Sequence, residues 1–301
     1  LAAVKSGSAQ ADKVLAQRKK ALVRRESSIK RKIRTEPLTA AMPQKLMLAA
    51  GSASPDVLLA EGDSWFDYPF YDVLKILEDD HGFDVESVAH KGDAIEQMAY
   101  GDGQLDDLTR LLEKLLRSNR VPRAILLSGG GNDVAGVEFE MLLNHSLSEA
   151  RGINEQVLEG VVGERIMLAY AFIIGSITRA CEGKVGAPIK ILVHGYDYPV
   201  PDGRGFLGGW SILPGPWLEP GFRHKGYDDL IERIEIVKGM IDRLNRMLAE
   251  LTALPQFSHV TYIDLRKTLS VGADYKKWWG NELHPTERGF KKVAQKFAEA
   301  I

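Results

Sequence analysis

From Asp56 onward the chain alternates short apolar runs with longer stretches of helical period. The runs "DVLLAEG" near 56–62, "FDVESVAH" near 83–90, "RAILLSGG" near 123–130, "IKILVHG" near 189–195 and "HVTYIDL" near 259–265 are rich in Val, Ile and Leu. Most are bounded by glycine or polar residues, the pattern of short buried strands. Between them, apolar positions recur at helical spacing over Tyr71 to Asp80, Gln104 to Ser118, about Ile153 to Cys181, and Tyr227 to Leu251. A last helical stretch lies after Pro285, where Phe290, Val293 and Phe297 share a face. Strands alternating with helices of this length predict a parallel sheet covered on both sides, an α/β chain with three α/β/α layers.

In open parallel sheets, ligands collect beyond the carboxyl ends of the strands, where loops converge and helix N-termini point into the crevice. The residues just after each predicted strand are therefore informative. Gly62-Asp63-Ser64 stands after the first, "HKGD" with Gly92 after the second, and "GGGND" with Asn132 after the third; beyond the fifth comes "NELHPTERG" with His284. A hydroxyl attacks at neutral pH only when a neighbouring base takes its proton, and histidine has the pKa for that work. Ser64 and His284 can fill those roles. The oxyanion of an acyl-transfer intermediate needs preorganised donors, and the backbone N–H groups of Ser64 and Gly92 with the side-chain amide of Asn132 are three candidates.

Each of these residues has an ordinary reading when taken alone. Ser64 would be a helix N-cap, Gly92 a turn glycine, Asn132 a residue of a glycine-rich loop and His284 a helix-entry residue before Pro285. "GGGND" could cradle a phosphate, but it has no Lys-Ser/Thr behind it as a P-loop requires. The four together, in order and each after its own strand, resemble the blocks of the SGNH hydrolases, also called GDSL esterases and lipases: "GDSW", the glycine of "AHKGD", "GGND" and "LHPT". The resemblance spans about Asp56 to Ile301. It implies a five-stranded parallel, flavodoxin-like sheet, an ester-hydrolysing Ser64/His284 centre, an oxyanion hole of Ser64, Gly92 and Asn132, and no metal or organic cofactor.

The chain departs from that family at one place. An aspartate usually stands three residues before the histidine, and here the position is Asn281. An asparagine carbonyl can orient the imidazole but cannot stabilise the imidazolium with a full charge. Three accounts are open: a Ser–His dyad with Asn281 or a backbone carbonyl as neutral orienting group, Glu282 swinging in as the acid, or a feeble centre. A carboxylate from elsewhere, such as Asp133 or Asp197, is a further source. The seven histidines are scattered, without HExxH or paired spacing, so no metal site is expected. His194, at the end of the fourth predicted strand, is either structural or a substrate contact.

The segment from Gly195 to Tyr227 is too long and too rich in Gly, Pro and aromatics for a routine connection, and reads as an insertion at about 196–227 forming a lid or wall. Its Trp210, Trp217, Phe206 and Phe222 argue against disorder. With Trp65, Phe66 and Tyr68 after the serine, and Trp278 and Trp279 before the histidine, they predict an aromatic cleft. Trp65, His194, Trp210 and Trp279 are the candidate substrate contacts. The expected substrate is a small-molecule or carbohydrate ester with a short acyl or acetyl group. The alternatives are a lipase or acyltransferase of the same fold, or a non-catalytic module binding glycan or peptide through a degenerate site.

Charge changes the picture at the N-terminus. Residues 1–36 hold eleven of the 39 Lys and Arg but three of the 41 Asp and Glu, leaving the rest of the chain close to −10. Residues 1–55 thus read as a basic arm ending in the linker "LAAGSASPD", and residues 56–301 as the hydrolase domain. The arm, residues 5–34, could contact nucleic acid or an anionic surface. Without interleaved aromatics it reads more simply as a solvated helix on an acidic body. Cys181 is the one cysteine, in an apolar helical stretch, so it is expected as a buried thiol outside any internal disulfide. No run approaches the ~18 apolar residues of a membrane span, and the start lacks the apolar core of a secretory leader. As written the chain reads as soluble: cytoplasmic, or exported if an upstream signal has been removed.

Overall fold

The computed structural model describes residues 19–21, 23–31, 56–101, 103–208 and 213–301. The elements after Asp56 are β1 (Val57–Gly62), α1 (Val73–Asp79), β2 (Asp84–Ser87), α2 (Ile95–Tyr100), α3 (Gln104–Arg117), β3 (Ala124–Ser128), α4 (Val137–Leu142), a small hairpin β4 (Leu143–Asn144) and β5 (Gly152–Ile153), α5 (Glu155–Leu158), α6 (Met167–Val185), β6 (Ile191–His194), α7 (Glu219–His224), α8 (Leu230–Thr252), β7 (Val260–Ile263) and α9 (Glu287–Ala300). Five strands form one sheet in the order β2-β1-β3-β6-β7, every neighbouring pair parallel. That is the flavodoxin-like order, with the direction of winding reversing at β1.

The strands read as apolar runs because helices cover both faces. All residues of β1, β3 and β6 are buried. One face carries α1 against α9, and the other carries α2, α3 and α6 with α8 beside them. Helix starts obey capping chemistry. Asp72 accepts from the Lys75 N–H at 2.8 Å, Asp229 from Ile231 and Glu232 at 2.7 and 3.0 Å, and Thr286 from Gly289 at 3.2 Å. On α9, Phe290, Val293, Ala294 and Phe297 are buried, the face read from the sequence.

The stretch predicted as one helix from Ile153 to Cys181 is instead three segments: α5, a π-helical turn over Glu159–Ile166, and α6. Gly160 and Gly163 fall in the π segment. A Cβ on Gly163 would meet the Glu159 carboxylate, which is paired with Arg243 at 2.7 Å. Period alone does not expose α2, α4, α7 or the β4–β5 hairpin, because each of these helices has six residues and each hairpin strand two.

Residues 19–21 and 23–31 are helical and lie on the body. Arg25 pairs with Glu78 and Asp84 at 3.2 and 3.0 Å, Arg24 with Asp79 and Asp80, and buried Ser28 donates to the carbonyls of Asp79 and Asp80. The rest of the basic arm and the linker lie outside the described residues, as does Trp210. Among the described residues no helix is long and apolar enough to cross a membrane. Cys181 is buried, and burial pushes its thiol up to about 11.

Candidate active site

Ser64 sits in the turn that ends β1. Phe66 and Asp67 both donate to the Asp63 carbonyl at 3.0 Å, and the Trp65 N–H donates to the Asp63 carboxylate at 3.0 Å. Gly62 lets this turn form. It pairs with Ser128 of β3, and a Cβ there would stand 2.6 Å from the Ser128 Cβ. The loop after β2 is fastened to the turn by His90 N–H to the Gly62 carbonyl at 2.8 Å and Lys91 N–H to the Asp67 carboxylate at 3.2 Å. Gly92 in that loop has φ +93°, with open space where a Cβ would stand, so backbone conformation, not crowding, calls for glycine.

The Ser64 Oγ is 2.7 Å from Nε2 of His284. Nδ1 of His284 is 3.0 Å from Oδ1 of Asn281, and the backbone N–H groups of Leu283 and His284 donate to that same oxygen at 3.0 and 2.8 Å. These two backbone donors fix which end of the Asn281 amide is oxygen. Nδ1 must then carry the hydrogen, and Nε2 is left free to accept from the Ser64 hydroxyl. The amide's nitrogen donates to the Tyr68 hydroxyl at 2.9 Å. The Tyr68 ring lies on the imidazole, centroids 4.2 Å apart and 19° from parallel, and Trp217 meets it edge-on at 5.4 Å. His284 is 5% exposed, and this burial pulls its pKa down to about 3.

Glu282 is not a swinging acid. Its fully buried carboxylate accepts four backbone N–H groups: Gly203 at 3.0 Å, Trp217 at 2.7 Å, Leu218 at 2.8 Å and Glu219 at 3.1 Å. It ties the insertion to the histidine segment and does not reach the imidazole. Burial raises its pKa against the pull of those donors. Arg204 adds bonds to the carbonyls of Trp279 and Gly280 at 2.9 and 3.2 Å. The two more distant carboxylates are engaged elsewhere. Asp133 accepts from the Ile95 N–H at 2.9 Å, burial raising it to about 6, and Asp197 accepts from Tyr198, Lys267 and Leu269.

Ser64 opens on a cavity of about 40 Å³ lined by Trp65, Asn132, Val134, Leu218, Met240 and Trp279 among others. Asn132 donates one amide hydrogen to the Asp93 carbonyl at 2.9 Å, which orients the second. Gly92, next to Asp93, is not part of the lining. Trp65 and Trp279 do line the cavity, and the Trp65 indole N–H donates to the Leu283 carbonyl at 3.1 Å. His194 does not line it. The ring is fully buried under Trp65, 5.7 Å away, and bonded to Ser128 and the Gly195 carbonyl, so the expectation of a substrate contact is corrected. Among the described residues no cluster of three or more His, Cys, Asp or Glu is arranged to hold a metal. Sequence reasoning missed the part of Tyr68 and of Glu282, for which no local signal exists.

No protein-family model and no curated protein matches the chain. Solved structures with a similar chain path include a lipase from a goat rumen metagenome, 17% identical with a TM-score of 0.48, covering 81% of this chain and 96% of that one. An aryl esterase of M. smegmatis is 15% identical with a TM-score of 0.46, over 81% and 97% of the two chains. A carbohydrate acetylesterase of Sinorhizobium meliloti is likewise 15% identical, with a TM-score of 0.43 and the same coverage. The likeness is one of chain path alone, and the chemistry stands on this protein's own side chains.

Proposed function

We propose that the protein is a serine ester hydrolase of the SGNH type. The supporting observation is the 2.7 Å contact between the Ser64 hydroxyl and an imidazole nitrogen whose tautomer Asn281 fixes for proton acceptance. His284 takes the Ser64 proton as Oγ attacks the ester carbonyl, and the imidazolium returns it to the departing alcohol. Asn132, with the backbone N–H groups of Ser64 and Gly92, receives the oxyanion. Losing one such donor costs roughly 3–4 kcal/mol. Water then enters by the same base and releases the acid. Asn281 is a positioning residue in this scheme, and Tyr68, stacked on the ring, offers its π face to the imidazolium.

The cavity beside Ser64 favours a short acyl group. One water fills about 10–15 Å³ of such space, so about 40 Å³ suits an acetyl or propionyl group better than a long chain. The aromatic rings gathered at His284, Tyr68 with Phe206 edge-on to it and Trp217 edge-on to the imidazole, suit a sugar or aryl alcohol. The test is a series of p-nitrophenyl esters from acetate to octanoate with wild type and Ser64→Ala. The expected result is turnover greatest on acetate, falling at least tenfold by hexanoate and absent in the variant. Equal rates in both proteins remove the esterase reading, and a maximum at octanoate removes the short-acyl one.

A further inference from the structure

Behind the nucleophile lies a second polar cluster that the proposed chemistry does not use. The Asp63 carboxylate, 2% exposed, is contacted by the Ser128 hydroxyl at 2.8 Å on Oδ1 and by the Tyr196 hydroxyl on Oδ2, besides the Trp65 N–H. The Ser128 Oγ is also 2.8 Å from Nε2 of His194, and Nδ1 of His194 is 2.9 Å from the Gly195 carbonyl. Ser128 and His194 are fully buried, and Phe66, Tyr196 and Phe297 pack around the imidazole with Trp65.

The hydrogens can be counted. A backbone carbonyl only accepts, so Nδ1 of His194 carries a hydrogen committed to Gly195. Three contacts of hydrogen-bond geometry remain: Ser128 with Asp63, Ser128 with His194, and Tyr196 with Asp63. Each needs one hydrogen, and the two hydroxyls supply two. The third must sit on Nε2 of His194 or on the Asp63 carboxyl. An ionised Asp63 beside a neutral His194 is one hydrogen short. Burial also pulls the His194 pKa down, which favours the arrangement with a neutral imidazole.

We propose that Asp63, Ser128, His194 and Tyr196 form a net-neutral, proton-sharing relay that holds the nucleophile turn. The relay is either an Asp63 anion with a His194 cation, or a neutral acid with a neutral imidazole, joined through Ser128. Asp63 connects it to the reaction centre, because its Oδ1 accepts the N–H of the residue after Ser64. His194 and Ser128 are thus positioning residues acting through Asp63, a role that rests on the esterase reading. The proton count does not.

The experiment reads protons directly. Wild-type protein labelled with ¹⁵N-histidine and ¹³C-aspartate is examined by NMR at pH 7, with His194→Gln and Asp63→Asn used only to assign the signals. Two results support the proposal: both His194 nitrogens protonated with an ionised Asp63, or Nδ1-protonated His194 with a protonated Asp63. An ionised Asp63 together with a neutral His194 overturns it, and so does a protonated Asp63 with a doubly protonated His194. The positioning role is read separately with Ser128→Ala. If the relay holds the turn, kcat on p-nitrophenyl acetate falls at least tenfold with KM little changed and the His194 nitrogen signals shift. Unchanged kcat removes the positioning role and leaves the esterase reading intact.

Discussion

Replacing Asn281 by aspartate puts the neutral orienting group to the test. Asn281 Oδ1 lies 3.0 Å from His284 Nδ1 and is held there by two backbone N–H groups, so an aspartate oxygen fits the same place. The second aspartate oxygen would face the Tyr68 hydroxyl, now 2.9 Å from the amide nitrogen, and that hydroxyl can turn to donate. The geometry therefore survives and only the charge changes. Unit charges about 4 Å apart attract by about 4 kcal/mol at an effective dielectric of about 20. The imidazolium forms on the way to the transition state, so the attraction lowers the barrier and not the ground state. With the cation partly developed, about half of it gives a gain of roughly 10- to 100-fold in kcat.

The same charge stabilises protonated His284 in the free enzyme. Burial now holds that pKa at about 3, so wild type should keep its base, and its kcat/KM, down to about pH 4. A favourable 4 kcal/mol corresponds to about three pKa units, which moves the acid limb of Asn281→Asp up to about pH 6. A quenched-product assay of p-nitrophenyl acetate hydrolysis from pH 3 to 8 measures both effects. Superimposed profiles with equal rates would refute the assignment of Asn281 as the group behind the base.

Three further outcomes are expected. Glu61 is 2% exposed with one carboxylate oxygen unpartnered, and burial with the nearby Asp93 charge raises its pKa to about 8. The folded state then holds a proton that the unfolded chain releases near 4.5, so stability falls as pH rises from 4.5 to about 8, by about 3 kcal/mol at pH 7; Glu61→Gln should flatten that slope in urea melts, and an unchanged slope contradicts it. Glu282→Gln sets an amide nitrogen against backbone donors and should cost roughly 2–4 kcal/mol in Tm-derived stability with a loss of kcat; a silent variant would sever the insertion from the histidine segment. Phe70, 74% exposed at φ +74°, spends strain on a conformation glycine adopts freely, so Phe70→Gly should stabilise by about 1 kcal/mol in the same melts; destabilisation would mean its side chain is held.

The sheet was legible because each strand carries its own signal. β1, β3 and β6 are buried on both faces and cannot be anything but apolar runs, and the polar residues after them stand at the strand ends whatever the packing. Ser64 and His284 were legible as a pattern of blocks, and Asn281 as the place where that pattern is broken. Tyr68 and Glu282 were not, since a tyrosine in an aromatic run and a glutamate beside the histidine acquire their meaning from partners far along the chain. His194 shows the same limit in reverse. Its place at the end of β6 suggested the crevice, but β6 alternates sides, and the pleat turns this ring inward beneath Trp65.

The four N–H groups gathered by Glu282 have a practical reach. The backbone of the insertion at Gly203, Trp217, Leu218 and Glu219 is clamped to a carboxylate two residues before His284. Grafting a foreign loop onto this scaffold to change selectivity would strand that carboxylate unless the graft brings matching donors or Glu282 is replaced too. The insertion and the segment bearing His284 are therefore exchangeable only as a pair.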